Sequence, residues 1–561
     1  MHTRARPRLV SAALVALAAL AGLAACDKDG PLEPVGGAFS LGQSLAVESG
    51  REARVLGGSS GGTFVAVVVN LGLDTLGKSG YSLRATGVQE TPQGPFSARA
   101  PRADDQHAAT AGLTRDERFE ARLRDRERAE LTGRFAAARR WSATIDPSLP
   151  TSVTVGQIVN VNVNATSACE DPIYHPARVE AIGAKAIILN DTLNPKPGFS
   201  TADYGRFAAR FDTLVYPMDV AAFGEPTNID GNGRIAIVFT RAVNELTPRG
   251  STTYVGGLTF SRDLFPHTAS PRADACPASN MGEYFYLMTP DPTGIINGNR
   301  RSNAFVDSNS TAVVAHELVH LINASRKLYV NTSAPKFEEK WLDEGLAHIA
   351  EELLFYRVSG LAPRSNLTYR ALVQSDRIRF AYINDMSGNA NRYRDYLSSP
   401  ASGSPYKAGD SLSSRGAAWS LLRYLADRAG SSDGNLWSRL VDNTAVGAAN
   451  LQSVFGDLPP LVRDWSVSHI IDDSPSASSE LSQQSWNWHS VFGGPDGTAA
   501  LYPLPVNGMS PSASTYSGTV VAGGASYYTF IVPAEGTATL TLTGQTGATG
   551  SNIQLVIVRT R

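Results

Sequence analysis

Alternating apolar and polar positions divide the chain into strand-rich ends and a mixed centre. Residues 64–69 read FVAVVV between glycine-rich turns, which is typical of a strand. Near the other end, strand patterns recur at residues 527–532, 538–542 and 553–558. These patterns predict two separate small β modules, one at each end of the chain, with no repeat between them.

The centre mixes both periodicities. Strands are predicted at residues 153–165, 184–189 and 235–239, and helices at residues 311–326, 337–357, 415–429, 436–441 and 461–471. Between the first β module and this centre, residues 101–145 are crowded with Arg and Glu, which indicates a charged helical linker or a propeptide. A Ser-, Pro- and Gly-rich stretch at residues 476–511 is typical of a linker.

The amino terminus has the pattern of a targeting segment. Arginines at positions 4, 6 and 8 precede an apolar run that ends in Leu23-Ala24-Ala25-Cys26. That tetrapeptide resembles the lipobox of bacterial lipoproteins, which implies lipidation of Cys26 and an extracytoplasmic protein anchored to the cell membrane or outer membrane. An ordinary cleaved signal peptide is the alternative. A retained transmembrane helix is disfavoured because the run is shorter than the ~20 residues that a bilayer needs.

Composition excludes some partners. The 561 residues include 50 Lys and Arg against 52 Asp and Glu, so nothing in the overall charge favours nucleic acid. The oligomeric state is left open. If Cys26 carries lipid, Cys169 and Cys276 remain as an even pair, for which we predict a disulfide over two buried thiols.

The most informative segment is His316-Glu317-Leu318-Val319-His320. Two histidines four residues apart on a helix face one metal ion, and the glutamate beside them is placed to act as a base. The apolar residues around them predict a buried helix that begins near Asn309 or Ser310. The alternative is a pair of hydrogen-bonded core histidines beside an unrelated glutamate.

A third metal ligand is predicted in the segment WLDEGLAH. Glu344 lies 24 residues after His320 and opens a second helix. Asp343 points about 100° away from it and cannot share its face as a ligand. His348, one turn later, does share that face, and we assign it to orienting a ligand. A third-ligand role and a surface position are the alternatives for His348.

These motifs resemble the gluzincin metallopeptidases, and most closely the hyicolysin family, in which HELVHLIN is followed by WLDEGLAHIAEEL. The resemblance covers about residues 175–475. It implies an α+β multidomain protein, with a thermolysin-like zinc domain flanked by small all-β modules. It also implies that His316, His320 and Glu344 bind Zn²⁺ while Glu317 activates water.

Departures from the related aminopeptidases refine the expected activity. The GxMEN element that holds a free amino terminus is absent, and Gly282-Glu283 does not reproduce it, which favours an endopeptidase. Tyr406 fits the YxxG element whose tyrosine stabilises the oxyanion. In another alignment Ser413 takes that place, and Arg415 is a weaker candidate.

The sequence therefore predicts a zinc endopeptidase acting on extracytoplasmic proteins or peptides. One alternative is an inactive metallopeptidase-fold lipoprotein that binds a partner, which the intact Glu317 disfavours. Another is a zinc hydrolase of a non-peptide substrate. The β modules are interpreted as spacers rather than as binders of glycan or substrate.

Asn228, Asp230 and Asn232 lie in a short loop whose alternating oxygen side chains could bind Ca²⁺. The loop lacks the distal glutamate of an EF-hand, and a plain β-turn explains it equally well.

The predicted organisation is a lipoprotein signal peptide (residues 1–25), a tether (26–38), a β domain (39–100), the charged segment (101–145), the zinc metallopeptidase domain (146–475), a linker (476–511) and a second β module (512–561).

Overall fold

A computed structural model of the chain describes residues 35–91, 149–165, 169–251, 254–267, 276–406, 411–430, 432–496, 502–544 and 552–561. The predicted signal peptide, Cys26 and residues 101–145 lie outside these ranges.

The strands and helices follow in chain order. The strands are β1 (Val35–Ala38), β2 (Ser44–Glu48), β3 (Glu52–Leu56), β4 (Gly62–Asn70), β5 (Lys78–Thr86), β6 (Ile158–Asn162), β7 (Tyr174–Ile182), β8 (Ala186–Asp191), β9 (Ile235–Phe239), β10 (Gly257–Leu258), β11 (Tyr284–Leu287), β12 (Val506–Gly508), β13 (Thr515–Val521), β14 (Ala525–Val532), β15 (Thr537–Gly544) and β16 (Ile553–Arg559). The α-helices are α1 (Thr201–Arg210), α2 (Tyr216–Phe223), α3 (Arg241–Glu245), α4 (Asn303–Tyr329), α5 (Lys340–Ser359), α6 (Tyr369–Val373), α7 (Asp376–Ala381), α8 (Ser387–Leu397), α9 (Leu412–Ala429), α10 (Leu436–Val441), α11 (Gly447–Phe455), α12 (Leu458–Ile471) and α13 (Trp488–Gly493). Within the described ranges, no helix has the length and apolar composition needed to cross a bilayer.

The two strand-rich ends of the chain form one β-sandwich. One sheet has the order β1-β3-β15-β5-β13 and the other β12-β14-β4-β16-β2, so each sheet contains strands from both ends of the chain. The central strand β4 is antiparallel to β14 on one side and to β16 on the other. The prediction of two separate β modules is therefore wrong, because each end satisfies its backbone hydrogen bonds through the other.

Strand β4 is buried on both faces. Phe64, Ala66 and Val68 point into the sandwich core. Val65, Val67 and Val69 belong instead to the large core of the helical region. Burial of both faces explains why this strand is continuously apolar rather than alternating. The sandwich is thus packed onto the rest of the protein, which differs from a spacer on a flexible linker.

Hydrogen bonds join the sandwich to helix α12. The Tyr527 hydroxyl donates to the Ser466 carbonyl at 2.8 Å and lies 2.9 Å from Nδ1 of His469. The prediction of a linker at residues 476–511 is wrong for the neighbouring described residues 476–496, in which Trp486 and Trp488 are each only 1% exposed. Trp486 also donates to Glu352 at 2.7 Å. Burial of these indoles holds the segment on the helical core.

A six-stranded mixed sheet supports the centre of the protein. Its order is β10-β11-β9-β8-β7-β6, in which β8, β9 and β11 run parallel. Helices α4 and α5 pack together beside this sheet. Cys169, after β6, forms a disulfide with Cys276, which precedes β11.

Helix α4 begins earlier than its sequence predicts. Ser302 is the N-cap, with its side chain accepting a hydrogen bond from the Phe305 amide. Asn309 and Ser310, the predicted starts, lie inside the helix and donate to the carbonyls of Phe305 and Val306, four residues back. Polar side chains that hydrogen-bond to the carbonyl four residues back are compatible with a helix interior. The predicted helix start at Asn309 or Ser310 is therefore wrong.

We predict that Tyr527→Phe lowers the free energy of unfolding by about 1–2 kcal/mol, because buried polar groups on α12 lose their partner. The shift in the midpoint of urea-induced unfolding measures this. Tyr174→Phe is the control, since Tyr174 is 45% exposed and its loss should cost less than about 0.5 kcal/mol. Equal midpoints for the two variants would contradict the prediction.

Candidate metal centre

Helix α4 brings its two motif histidines together in the protein interior. His316 is 9% exposed and His320 is 7% exposed. Their Nε2 atoms lie 3.1 Å apart, as expected for residues one helical turn apart on one face. Glu317, between them in sequence, is 4% exposed.

Helix α5 adds Glu344 to this pair. Its Oε2 atom lies 3.5 Å from Nε2 of His316 and 3.8 Å from Nε2 of His320. Zinc bonds of ~2.0–2.1 Å in tetrahedral geometry place ligand atoms about 3.3 Å apart. The three predicted ligands therefore form a triangle of the size and chemical composition that fits Zn²⁺.

A carboxylate lies behind each histidine. Nδ1 of His316 is 2.7 Å from Oε1 of Glu351, and Nδ1 of His320 is 2.9 Å from Oδ2 of Asp343. Asn323 holds the other oxygen of Asp343 by donating to it at 2.7 Å. Carboxylates in these positions accept the Nδ1 protons, which leaves each Nε2 lone pair directed at the metal position.

Sequence reasoning missed both outer carboxylates. Asp343 does point away from the Glu344 face, but that direction takes it to Nδ1 of His320. Glu351 lies seven residues after Glu344 and three after His348, so the three share one helical stripe. Helical periodicity alone could have indicated Glu351.

His348 is in the interior beside the triad. It is 1% exposed, and its Nδ1 lies 3.1 Å from the same Glu351 oxygen that contacts His316. Burial lowers the pKa of His348 to about 4, so the ring is neutral at pH 7. His316, His348 and Glu351 also form a possible metal group. In that group a single Glu351 oxygen lies 2.7 Å from Nδ1 of His316 and 3.1 Å from Nδ1 of His348, so this oxygen can accept hydrogen bonds from both rings.

Electrostatics keep Glu344 ionised. Burial opposes ionisation of Glu344, but Arg415 and the two histidines hold its pKa well below its usual range. Burial likewise lowers the pKa of His316, yet hydrogen bonds to Glu344 and Glu351 raise it to about 10. Without a metal ion, the buried carboxylates thus keep His316 protonated and positively charged. A bound cation can take the place of this proton.

The segment containing β10 lies against the turn of α4 that carries Glu317. Thr259 donates from its hydroxyl to the Glu317 carbonyl at 3.2 Å. A Cβ at Gly257 would lie 2.7 Å from the Val313 side chain, so only glycine permits this approach. The edge strand β10 is therefore held close to the motif helix.

The structure separates the three oxyanion candidates. Nη1 of Arg415 lies 3.0 Å from Oε2 of Glu344, at the triad. Ser413 contacts the hydroxyl of Ser411, which caps α9. Tyr406 is 1% exposed, and its ring packs on Trp341 with 5.3 Å between centroids. Residues 407–410 lie outside the described ranges.

We predict that Asp343→Asn weakens zinc binding by about 10- to 100-fold, because His320 loses a charged acceptor. Competition with a chromophoric zinc chelator measures the affinity. Glu339→Gln is the control, since this glutamate is at the N-cap position of the same helix, where its side chain pairs with Lys336. Equal zinc affinities in the two variants would contradict a role for Asp343.

Comparison with known proteins gives one informative relative. No family model matches the chain. A neutral metalloprotease, ShpI of Staphylococcus hyicus, is 29% identical over 143 residues, which are 26% of this chain and 29% of the relative. The chain thus matches less than a third of that protein's length. This similarity supports a metallopeptidase relationship, and the buried histidines and glutamates provide a group able to hold the metal.

Proposed function

We propose that the protein is a zinc-dependent endopeptidase of the gluzincin type, similar to the hyicolysin family. One observation carries the proposal: the buried triangle of His316, His320 and Glu344, with distances of 3.1, 3.5 and 3.8 Å. Glu317 lies in the same helical turn. A structural zinc site has no need of such a base, which favours catalysis over the alternative of an inactive binding protein.

Each residue of the site has a separate proposed role in hydrolysis. A bound zinc ion supplies Lewis acidity, which lowers the pKa of water and polarises a carbonyl. Glu317 takes the proton from the attacking water and delivers it to the leaving amine. Asp343 and Glu351 keep His320 and His316 in the required tautomer. His348 positions Glu351.

Arg415 is our candidate for stabilising the oxyanion. Its guanidinium is already at the triad through Glu344. Preorganised cationic donors of this kind stabilise charge that develops in the transition state. Tyr406, the earlier candidate, has its ring packed between Trp341 and the backbone near Gly523. We therefore expect Tyr406 to contribute less than Arg415 to stabilising the oxyanion.

An extended polypeptide is the proposed substrate. Strand β10 is the edge of the central sheet and lies beside α4. The edge strand of a sheet can pair with a peptide that continues in both directions. Together with the missing GxMEN element, this favours internal cleavage of proteins or peptides.

We further propose that this activity is extracytoplasmic. The lipobox-like segment implies a lipid anchor at Cys26, and the disulfide between Cys169 and Cys276 is typical of oxidising compartments. Mass spectrometry of the mature amino terminus tests the anchor.

We predict that Glu317→Gln lowers kcat/KM on a peptide library by about 10²- to 10⁴-fold, because the general base is lost. Zinc content should stay stoichiometric, since the three ligands are untouched. Glu245→Gln, an exposed glutamate paired with Arg241, is the matched control and should retain wild-type activity.

Two results would contradict this assignment. Full activity in Glu317→Gln would remove the proposed base. A zinc-loaded wild-type protein that cleaves no peptide would favour hydrolysis of a non-peptide substrate.

We predict that Arg415→Met lowers kcat by about 10²- to 10³-fold, as expected for loss of an oxyanion donor, and that this loss exceeds any change in zinc affinity caused by losing the ion pair with Glu344. Tyr406→Phe should stay within a few-fold of wild type. If zinc affinity and kcat fall in parallel in Arg415→Met, the arginine positions Glu344 instead. If Tyr406→Phe shows the larger loss of kcat, the assignment is reversed.

A further inference from the structure

The loop before β9 collects oxygen atoms. Oδ1 of Asn228 accepts a hydrogen bond from the Gly233 amide at 2.9 Å. Oδ1 of Asp230 accepts from the Asn232 amide at 3.0 Å. Oδ1 of Asn232 accepts from the Arg234 amide at 2.6 Å. Each oxygen keeps a second lone pair. These bonds alone are also those of an ordinary turn.

A buried glutamate from elsewhere in the chain completes the arrangement. Glu283, which immediately precedes β11, is 2% exposed. Its Oε1 accepts hydrogen bonds from the Ile229 amide at 2.9 Å and the Thr227 hydroxyl at 3.0 Å. The carboxylate is thus fixed on the backbone between Asn228 and Asp230. Its other oxygen, Oε2, is buried and accepts no hydrogen bond from the described residues.

Two carboxyl groups are therefore buried at one loop. Asp230 is 6% exposed. Burial raises the pKa of Glu283 to about 8, and the nearby Asp230 adds to the shift. Burial also raises the pKa of Asp230 to about 6. Buried, adjacent carboxylates are costly to ionise unless a cation compensates them.

We propose that Asn228, Asp230, Asn232 and Glu283 bind a calcium ion. Glu283 supplies the distal carboxylate that the loop itself lacks. The donors are all oxygens of mixed amide and carboxylate type, which suit Ca²⁺ rather than Zn²⁺. With only two carboxylates, we expect a Kd on the order of 10⁻⁴ M.

The ion would link the starts of two parallel strands. The loop leads into β9, and Glu283 leads into β11, where its carbonyl accepts from the Ala236 amide at 2.8 Å. The loop also contacts helix α4, since the Thr227 amide donates to Ser325 at 3.3 Å. Calcium at this point would stabilise the sheet that supports the candidate metal centre, without taking part in hydrolysis.

The test uses the full mature protein, stripped of metal and reloaded with one equivalent of zinc. Addition of CaCl₂ should raise the Tm by a few degrees at saturation, and MgCl₂ should do so less. Tb³⁺ should bind, and its luminescence should be sensitised by Tyr284. This ring lies near Asp230, since a Cβ placed on Gly282 would be 2.8 Å from the Tyr284 ring and 3.1 Å from Oδ2 of Asp230. Ca²⁺ should displace the Tb³⁺.

Variants identify the ligands. Glu283→Gln and Asp230→Asn should each weaken Ca²⁺ and Tb³⁺ binding by at least about 10-fold, as expected when a charged ligand is lost. Glu245→Gln should bind both ions as the wild type does. Direct Tb³⁺ titration keeps the test valid if a variant is less stable.

Either of two results would overturn the proposal: no Ca²⁺-dependent change in Tm or Tb³⁺ signal, or wild-type binding by Glu283→Gln. Neither readout uses peptide hydrolysis, so the outcome is independent of the proposed protease activity.

Discussion

Buried negative charge between two helices is the constraint on which the site depends. Three carboxylates of α5 converge on the two histidines of α4: Asp343, Glu344 and Glu351. Carboxylates in such a place need compensation, and Arg415 provides only part of it. Each histidine is fixed at Nδ1 by a carboxylate, so both Nε2 atoms face one point. A divalent cation at that point would compensate the charge, and the surrounding apolar core keeps the two histidines and Glu344 in place.

Much of the candidate site could be predicted from local sequence. The spacing of His316 and His320 reflects the period of a single helix, and the carboxylate in WLDEG completes a known ligand pattern. The outer carboxylates depend on how α4 and α5 pack against each other, which no local pattern encodes. The helical position of Asp343 turns it away from the face of Glu344, but the same position brings it to Nδ1 of His320 as a hydrogen-bond acceptor.

In the fold too, local sequence predicts the strands but does not predict which strands pair. The apolar run in β4 predicts a strand, but its partners β14 and β16 come from the far end of the chain. A period of two cannot tell which strands pair, or that both faces of β4 are buried. The tryptophans at 486 and 488 lie in a stretch of linker-like composition, yet their burial decides its structure.

The shared sandwich has a consequence for any processing of the chain. Val67 of β4 pairs with Val556 of β16, and Tyr527 of β14 pairs with Val67 from the other side. A proteolytic cut anywhere in residues 92–148 would therefore break the polypeptide without releasing residues 35–91. The severed amino-terminal piece would stay bound through its strand pairing, as a non-covalent subunit. Under the proposed lipid anchor at Cys26, the nicked protein would then stay attached to the membrane through this subunit.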